Sequence, residues 1–331
     1  THAPFPWNKL FLHLRKKPIG DVVVDQIEFT KFISEEMMRL PIADARTYLL
    51  WHLLDAYASA LPARFRKASF HLHGKTITGM KKPRPMWKQV VGIVDGYMGD
   101  AIGRIYVKAH YTKEARAQMT EMVRNVKHVF AERIRALSWM DARTKRGALR
   151  KLATLVTKIG FPTKWKNYTD LHIRRNTYVG NIIRLNRFHF EQEIKKVGCR
   201  PDRTEWHMSP ATVNAYYSPN FNEIVFPAAI LQAPFFDPTR DAAYNYGGIG
   251  SVIGHEISHA FDDSGAEFDH RGNMKNWWTK RSKRNFSVRT RTLVRQYGAY
   301  EPLPGQKLNG KLTLGENIAD LCGVIVGFYA Y

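Results

Sequence analysis

The chain has 331 residues, with 51 Lys and Arg against 29 Asp and Glu, a net charge of +22. That length suggests roughly two domains, and 44% hydrophobic with 12% aromatic residues can bury a sizeable core, which argues against bulk disorder. Two cysteines exclude a disulfide framework and any Cys-only zinc module, and no run approaches the roughly 18 apolar residues that read as a transmembrane helix.

The opening THAPFPWNKL has neither the charged start nor the apolar run of a signal peptide, and the closing VIVGFYAY is apolar without a stop signal. These ends lead us to expect an internal piece of a longer chain. Residues 26–60 read as helical, with Ile27, Phe29, Phe32, Ile33, Met37 and Met38, then Tyr48, Leu49, Leu53 and Leu54. His71 and His73 fall in a strand-like HLH and lack partners at ligand spacing, as does His207, so they read as structural or surface residues. Residues 112–138 form an amphipathic helical pattern through Ala115, Met119, Met122, Val123, Val126, Val129, Phe130, Ile134 and Leu137. Residues 139–158 also read as helix, with Ala142, Ala148, Leu149, Leu152 and Leu155 inward.

The character changes after about residue 175. Val213–Ser218 and Glu223–Phe226 are short β-type runs around Pro219-Asn220-Phe221-Asn222, which reads as a hairpin. A Gly-rich NYGGIGSVIG then leads into a helix. The densest basic run, Arg271 to Tyr300, holds nine Lys and Arg and no carboxylate. Its aromatics Trp277, Trp278, Phe286 and Tyr297 could stack bases. The plainer reading, which we prefer, is a helix with a solvated basic face and with Phe286, Leu293 and Tyr297 on its inner side. No known nucleic-acid-binding pattern accompanies the run, so no specific nucleic-acid partner is expected.

Gly254-His255-Glu256-Ile257-Ser258-His259 contains H-E-x-x-H. At about 100° per residue the two His lie about 40° apart on one helix face, so both imidazoles can reach one zinc ion at about 2.0–2.1 Å. Glu256 stands beside that face, close enough to act on water without being a ligand. Ile249, Val252, Ile253 and Ile257 give the helix an apolar side, and Gly265 is a plausible stop. Two His on such a helix could instead be core residues bonded to carbonyls. Leu314-Gly315-Glu316-Asn317-Ile318-Ala319-Asp320 decides against that. Glu316 and Asp320 are four apart on a second helical pattern, so Glu316 can complete a His/His/Glu set with an open fourth position, as catalytic zinc sites have. Asp320 can accept the free ring N–H of a ligand His.

The segments VNAYYSPNFNEIVFPAAILQAPFFD, NYGGIGSVIGHEISHAFDD and LTLGENIAD resemble the neprilysin and endothelin-converting-enzyme family of zinc metallopeptidases, particularly its bacterial members. The similarity is continuous from Arg203 to Tyr331 and looser through TYLLWHLLDAYA (47–58) and KLATLVTKIGFPTKW (151–165). It implies a mainly α, α+β architecture: a zincin-like catalytic domain over 176–331, its C-terminal end missing, and a partial, chamber-forming helical companion domain over 1–175. It also implies one Zn2+ per chain on His255, His259 and Glu316, with Glu256 as the catalytic carboxylate and Asp320 behind a ligand His. Asn214 and Ala215 match the family's Asn-Ala pair, which binds substrate backbone. Ile230, Phe235 and Val252 match positions that line the pocket for the side chain just after the scissile bond, and an ordinary core role fits them equally well. The implied activity is endopeptidase cleavage of peptides on the amino side of bulky apolar residues, by a zinc-promoted water with Glu256 as general base.

Relatives continue downstream with a His that stabilises the oxyanion and an Arg that binds substrate, and no residue here matches either. The alternative is therefore a catalytically incompetent zinc-binding fragment or binding module. Relatives are mostly membrane-anchored, periplasmic or secreted, so an extracytoplasmic address is expected. The positive charge suggests attraction to anionic surfaces or acidic peptides. Cys322 stands where relatives generally have Gly. It reads as a packing residue in preference to a partner for Cys199.

Overall fold

A computed structural model describes residues 5–15 and 20–331 of the chain; the first four residues of the opening segment and residues 16–19 lie outside the described residues. The chain is mostly helical with one three-stranded sheet. It divides into two compact units, Thr1–Ile93 with Asn167–Pro201, and Val94–Lys166 with Asp202–Tyr331. The helices before residue 175 are thus shared between both units.

In chain order the helices begin with α1 (Trp7–Arg15), α2 (Ile27–Arg39), α3 (Ile42–Ala56) and α4 (Ala63–Ser69). The 26–60 pattern is broken where Pro41, which cannot continue a helix, separates α2 from α3. Trp7 donates its indole N–H to the buried Ser34 hydroxyl at 3.0 Å, tying α1 to α2. The HLH segment is not a strand: Phe70–Ile77 forms wide, π-type helical turns. There His73 Nε2 sits 2.9 Å from the Asp55 carboxylate. Helix α5 (Met86–His110) kinks at Met98, and the division between the units falls within it.

The second unit holds α6 (Lys113–Ala136) and α7 (Ala142–Ala153). Thr112 caps α6 by accepting the Ala115 N–H. Seven of its inward-reading residues are buried, from Ala115 to Ile134, while Val129 and Leu137 are half-buried. Helix α7 ends sooner than its pattern suggested. Thr154 closes it, and the β-branched Val156, Thr157 and Ile159 form β1 (Val156–Gly160), which joins a sheet through Val156 N–H to Asn222 O at 3.0 Å. Ala148, Leu152 and Leu155 are buried and Leu149 is half-buried, but Ala142 is exposed.

After α8 (Tyr178–Lys196), in the first unit, come β2 (Tyr216–Ser218) and β3 (Glu223–Pro227). They pair antiparallel, Tyr216 opposite Val225 and Ser218 opposite Glu223, so the hairpin forms as expected. Asn222 closes the turn with φ of 48°, a left-handed conformation that Asn tolerates. Strand β3, buried along its whole length, is central, with β1 parallel on one side and β2 an edge strand on the other. The remaining helices are α9 (Ala242–Asn245), α10 (Ser251–His259), α11 (Lys280–Gly298) and α12 (Leu314–Ala330).

The core of this unit lies where α6, α10 and α12 meet the sheet, around the fully buried Met119, Val126, Ile224, Ile249, Ile253 and Ile257. Helices α10 and α12 cross unusually closely because glycines face each other. A Cβ on Gly254 would stand 2.8 Å from the Gly323 Cα, and a Cβ on Gly323 would stand 2.4 Å from the Ser251 carbonyl oxygen. The close approach brings the carboxylates of one helix onto the imidazoles of the other.

Candidate metal centre

Helix α10 presents His255 and His259 on successive turns, their rings 4.6 Å apart between centroids and nearly perpendicular, at 87°. Helix α12 presents Glu316 and Asp320 on the same side, as the four-residue spacing requires. His255 Nε2 lies 2.9 Å from His259 Nε2 and 3.4 Å from Glu316 Oε2, and His259 Nε2 lies 3.7 Å from that same oxygen. Donors held about 2.0–2.1 Å from one tetrahedral ion would be about 3.3 Å apart, a value these three distances bracket.

The outer nitrogens explain the electron-rich character of the cluster. His255 Nδ1 is 2.8 Å from Asp320 Oδ1, and His259 Nδ1 is 2.7 Å from Asp262 Oδ2. A carboxylate only accepts, so each Nδ1 donates and each Nε2 is left with a lone pair. Two ring nitrogens and a carboxylate oxygen thus converge on one point, an arrangement that suits a cation. The donor set and its outer hydrogen bonds therefore fit a zinc ion.

Glu256 is 5% exposed. Burial pushes its carboxyl up to about 7; the His259 charge opposes this, the Glu316 charge adds to it, and the Tyr217 backbone N–H facing it opposes it again. Burial works against the charged form of His259, but the Asp262 hydrogen bond, with the Glu256, Asp262 and Glu316 charges, outweighs it and raises the pKa.

A cavity of about 440 Å³ opens over these groups, lined by His255, Glu256, His259 and Glu316 on one side and by Asn214 and Ala215 with the start of β2 on the other. Asn214 is exposed and accepts its neighbour's Ala215 N–H at 2.9 Å. Asp320 stands behind His255 and does not line the cavity. Ile230, Phe235 and Val252 do not line it either: they belong to the apolar cluster, Ile230 at 4% exposure and the other two half-buried.

Three residues in this neighbourhood were not picked out from the sequence. Asp262 holds the second His. Its position three after His259 was a usable signal, but the residue lies in the turn beyond α10, where helical spacing no longer applies. Tyr217 offers its backbone N–H to Glu256, which no residue-type pattern reveals. Lys151 is the third, buried at 1% exposure on the apolar stripe of α7. Cys199 and Cys322 are both free thiols. Burial pushes the Cys322 thiol pKa up, opposed by a hydrogen bond with Ser258, as suits a packing residue.

A mainly helical unit with an H-E-x-x-H helix, a crossing helix that carries the third carboxylate and an adjacent edge strand defines a class of candidate metallopeptidases. Residues 214–331 match a family model described as Peptidase family M13, and residues 1–162 match a second model of the same description. The chain belongs to peptidase family M13. It is 34% identical over 318 residues to Endothelin-converting enzyme-like 1 of Mus musculus, a match covering 94% of this chain and 41% of that protein. It is 36% identical over 321 residues to Neprilysin of Homo sapiens, covering 94% of this chain and 43% of that protein. Among solved structures it resembles the Mycobacterium tuberculosis zinc metalloprotease Zmp1 in complex with inhibitor, with a TM-score of 0.89 and 41% identity over 94% of this chain and 48% of that one. The chain spans about two-fifths of the length of these curated relatives.

Proposed function

We propose that the chain carries the metal centre of a zinc-dependent endopeptidase, with one zinc held by His255, His259 and Glu316. The observation that carries this reading is the convergence of those three acceptors beside the buried Glu256. When bound, zinc supplies a Lewis acid that polarises a carbonyl and acidifies water. Glu256, with a carboxyl near neutrality, takes a proton from the attacking water and passes it to the leaving amine. Asp320 and Asp262 keep both imidazoles in the tautomer that leaves Nε2 free. Asn214 and Ala215 sit at the start of an unpaired edge, where an extended peptide can add as a further strand.

In this reading the substrate is a peptide with a bulky apolar residue just after the scissile bond, and Ile230, Phe235 and Val252 shape the pocket for it. An extracytoplasmic address belongs to the same reading by analogy with relatives. No helix among the described residues is long and apolar enough to cross a membrane.

The deciding experiment measures zinc content and turnover of a fluorogenic peptide bearing such an apolar residue. One zinc per chain with cleavage on the amino side of that residue is the expected result. Zinc without cleavage would favour a binding module, and a chain that takes up no zinc would end both readings.

A further inference from the structure

The Lys151 ammonium is buried without a carboxylate as its hydrogen-bond acceptor. Its Nζ donates to two backbone carbonyls, Gly265 at 2.7 Å and Phe268 at 2.6 Å. Around it stand the rings of Tyr217, Phe261 and Trp277, with centroids 5.8, 6.0 and 6.0 Å away. A buried charge is costly unless several such contacts stabilise it, so a Lys here calls for a reason beyond packing. Burial lowers its pKa to about 8, against the raising charges of Asp262 and Asp269.

What the ammonium holds is the segment that folds back over the end of α10. That segment begins with Asp262, which is 5% exposed. Its Oδ2 accepts the hydrogen bond from His259 Nδ1–H at 2.7 Å, while its Oδ1 accepts the N–H groups of Ser264 at 2.9 Å and Gly265 at 2.6 Å. Gly265 is therefore bound from both sides: its N–H by Asp262 and its carbonyl by Lys151. It packs so tightly that a Cβ there would stand 1.8 Å from the His259 carbonyl oxygen. On its other flank Lys151 touches the ring of Tyr217, the edge-strand residue whose backbone N–H faces Glu256. The Lys151 carbonyl also accepts the Asn222 amide at 3.0 Å, where the β2–β3 hairpin closes.

We propose that Lys151 is a positioning residue of the metal centre, which clamps the 262–268 turn through the Gly265 and Phe268 carbonyls so that Asp262 stays against His259. The proposal rests on the zinc reading above. Lys151 touches neither metal nor substrate and acts through Asp262.

The test is a double-mutant cycle in the full chain, read as zinc affinity by chelator competition, with unfolding of the metal-free protein followed alongside. Lys151→Met keeps the length and removes the charge and donors. Asp262→Asn breaks the link at its other end. Each alone is expected to weaken zinc binding by about 10–100-fold, the usual effect of removing an outer partner of a ligand His, and the double variant should fall no further than Asp262→Asn. A stability loss alone would not produce that non-additivity in affinity. Folded Lys151→Met with the zinc affinity of the unaltered chain, or additive losses in the double variant, would overturn the proposal. If Lys151→Met does not fold, Lys151→Leu, which likewise removes the charge and donors, takes its place with the same outcomes. Should neither fold, Lys151 is a folding element and the proposal falls. An unaltered chain that binds no zinc would instead sink the underlying reading.

Discussion

At the scale of single residues, the proposed metal centre assigns different parts to Glu256 and Asp320, and each can be tested by a near-isosteric change. Glu256 is buried among charges and can be changed to Gln without adding bulk. Glu256→Gln is expected to keep zinc but lower peptide turnover by about 10²–10⁴-fold, as loss of a positioned general base does; cleavage at the unaltered rate would remove Glu256 from its role. Asp320 makes the opposite case. Its side chain is 74% exposed while the His255 it holds is 20% exposed, so Asp320→Asn should cost little packing. It should leave the unfolding midpoint of the metal-free chain unchanged and weaken zinc binding by about 10–100-fold. Equal zinc affinity would show that the 2.8 Å contact orients nothing. His255, His259, Glu316 and Asp320 were legible in the sequence because helical periodicity is local: spacing alone puts each pair on one face. Asp262, Tyr217 and Lys151 were not, because a turn, a backbone N–H and a buried ammonium acquire meaning only from the chain segments that fold against them.

At the scale of elements, two devices hold the centre together. The first is the glycine crossing of α10 and α12. Gly323→Ala would press a Cβ onto the Ser251 carbonyl, 2.4 Å away, and backbone cannot yield as a side-chain tip does. Overpacking of this kind costs about 1–3 kcal/mol. Because Glu316 and Asp320 ride on α12, zinc affinity should fall with it; denaturant unfolding and chelator competition measure the two, and no change in either would refute the close-contact account. The second device is Asp141, which joins the starts of α7 and α11. It caps α7 by accepting the Thr144 N–H at 2.9 Å, accepts the Ser282 hydroxyl at 2.6 Å and that of Thr279, and donates its own N–H to Ser282 Oγ at 3.0 Å. Hydrogen bonds from Ser282, Thr279 and Thr144 hold its carboxyl well below the usual range. A carboxylate lowered on folding stabilises the chain above the ordinary carboxylate pKa of about 4 and loses that effect as pH falls towards the folded value. Asp141→Asn should therefore be less stable at neutral pH and show a shallower loss in acid, whereas parallel stability curves would show that the charge is idle. The strand after α7 was misread as helix because Leu149, Leu152 and Leu155 continue a helical spacing. The sheet supplies the competing partner, β3, from some seventy residues away.

At the scale of the whole molecule, the net charge of +22 is borne largely on the surface, with the buried Lys151 an exception. Helix α11 shows how. Its Ser282, Phe286, Thr290, Leu293 and Tyr297 lie on the buried or half-buried side, and Trp278 and Phe286 pack with Trp139. Lys280, Arg281, Lys283, Arg284, Arg289, Arg291 and Arg295 are all exposed. The amphipathic pattern predicted that division, since it depends only on which side is apolar. Trp277, Trp278 and Phe286 are thereby committed to the apolar cluster, while Tyr297 pairs with the exposed Tyr300 at the end of the helix. Charge of this kind acts at a distance, on capture of substrate and not on bond breaking. If the endopeptidase reading holds, kcat/KM for an acidic peptide should fall between about 0.01 M and about 0.15 M salt, over which the Debye length shrinks from about 30 Å to about 8 Å. For a neutral peptide of the same length it should hardly move, and kcat should stay level for both. Identical salt dependence for the two peptides would mean that the surface charge plays no part in substrate capture and that any anionic partner must be sought elsewhere.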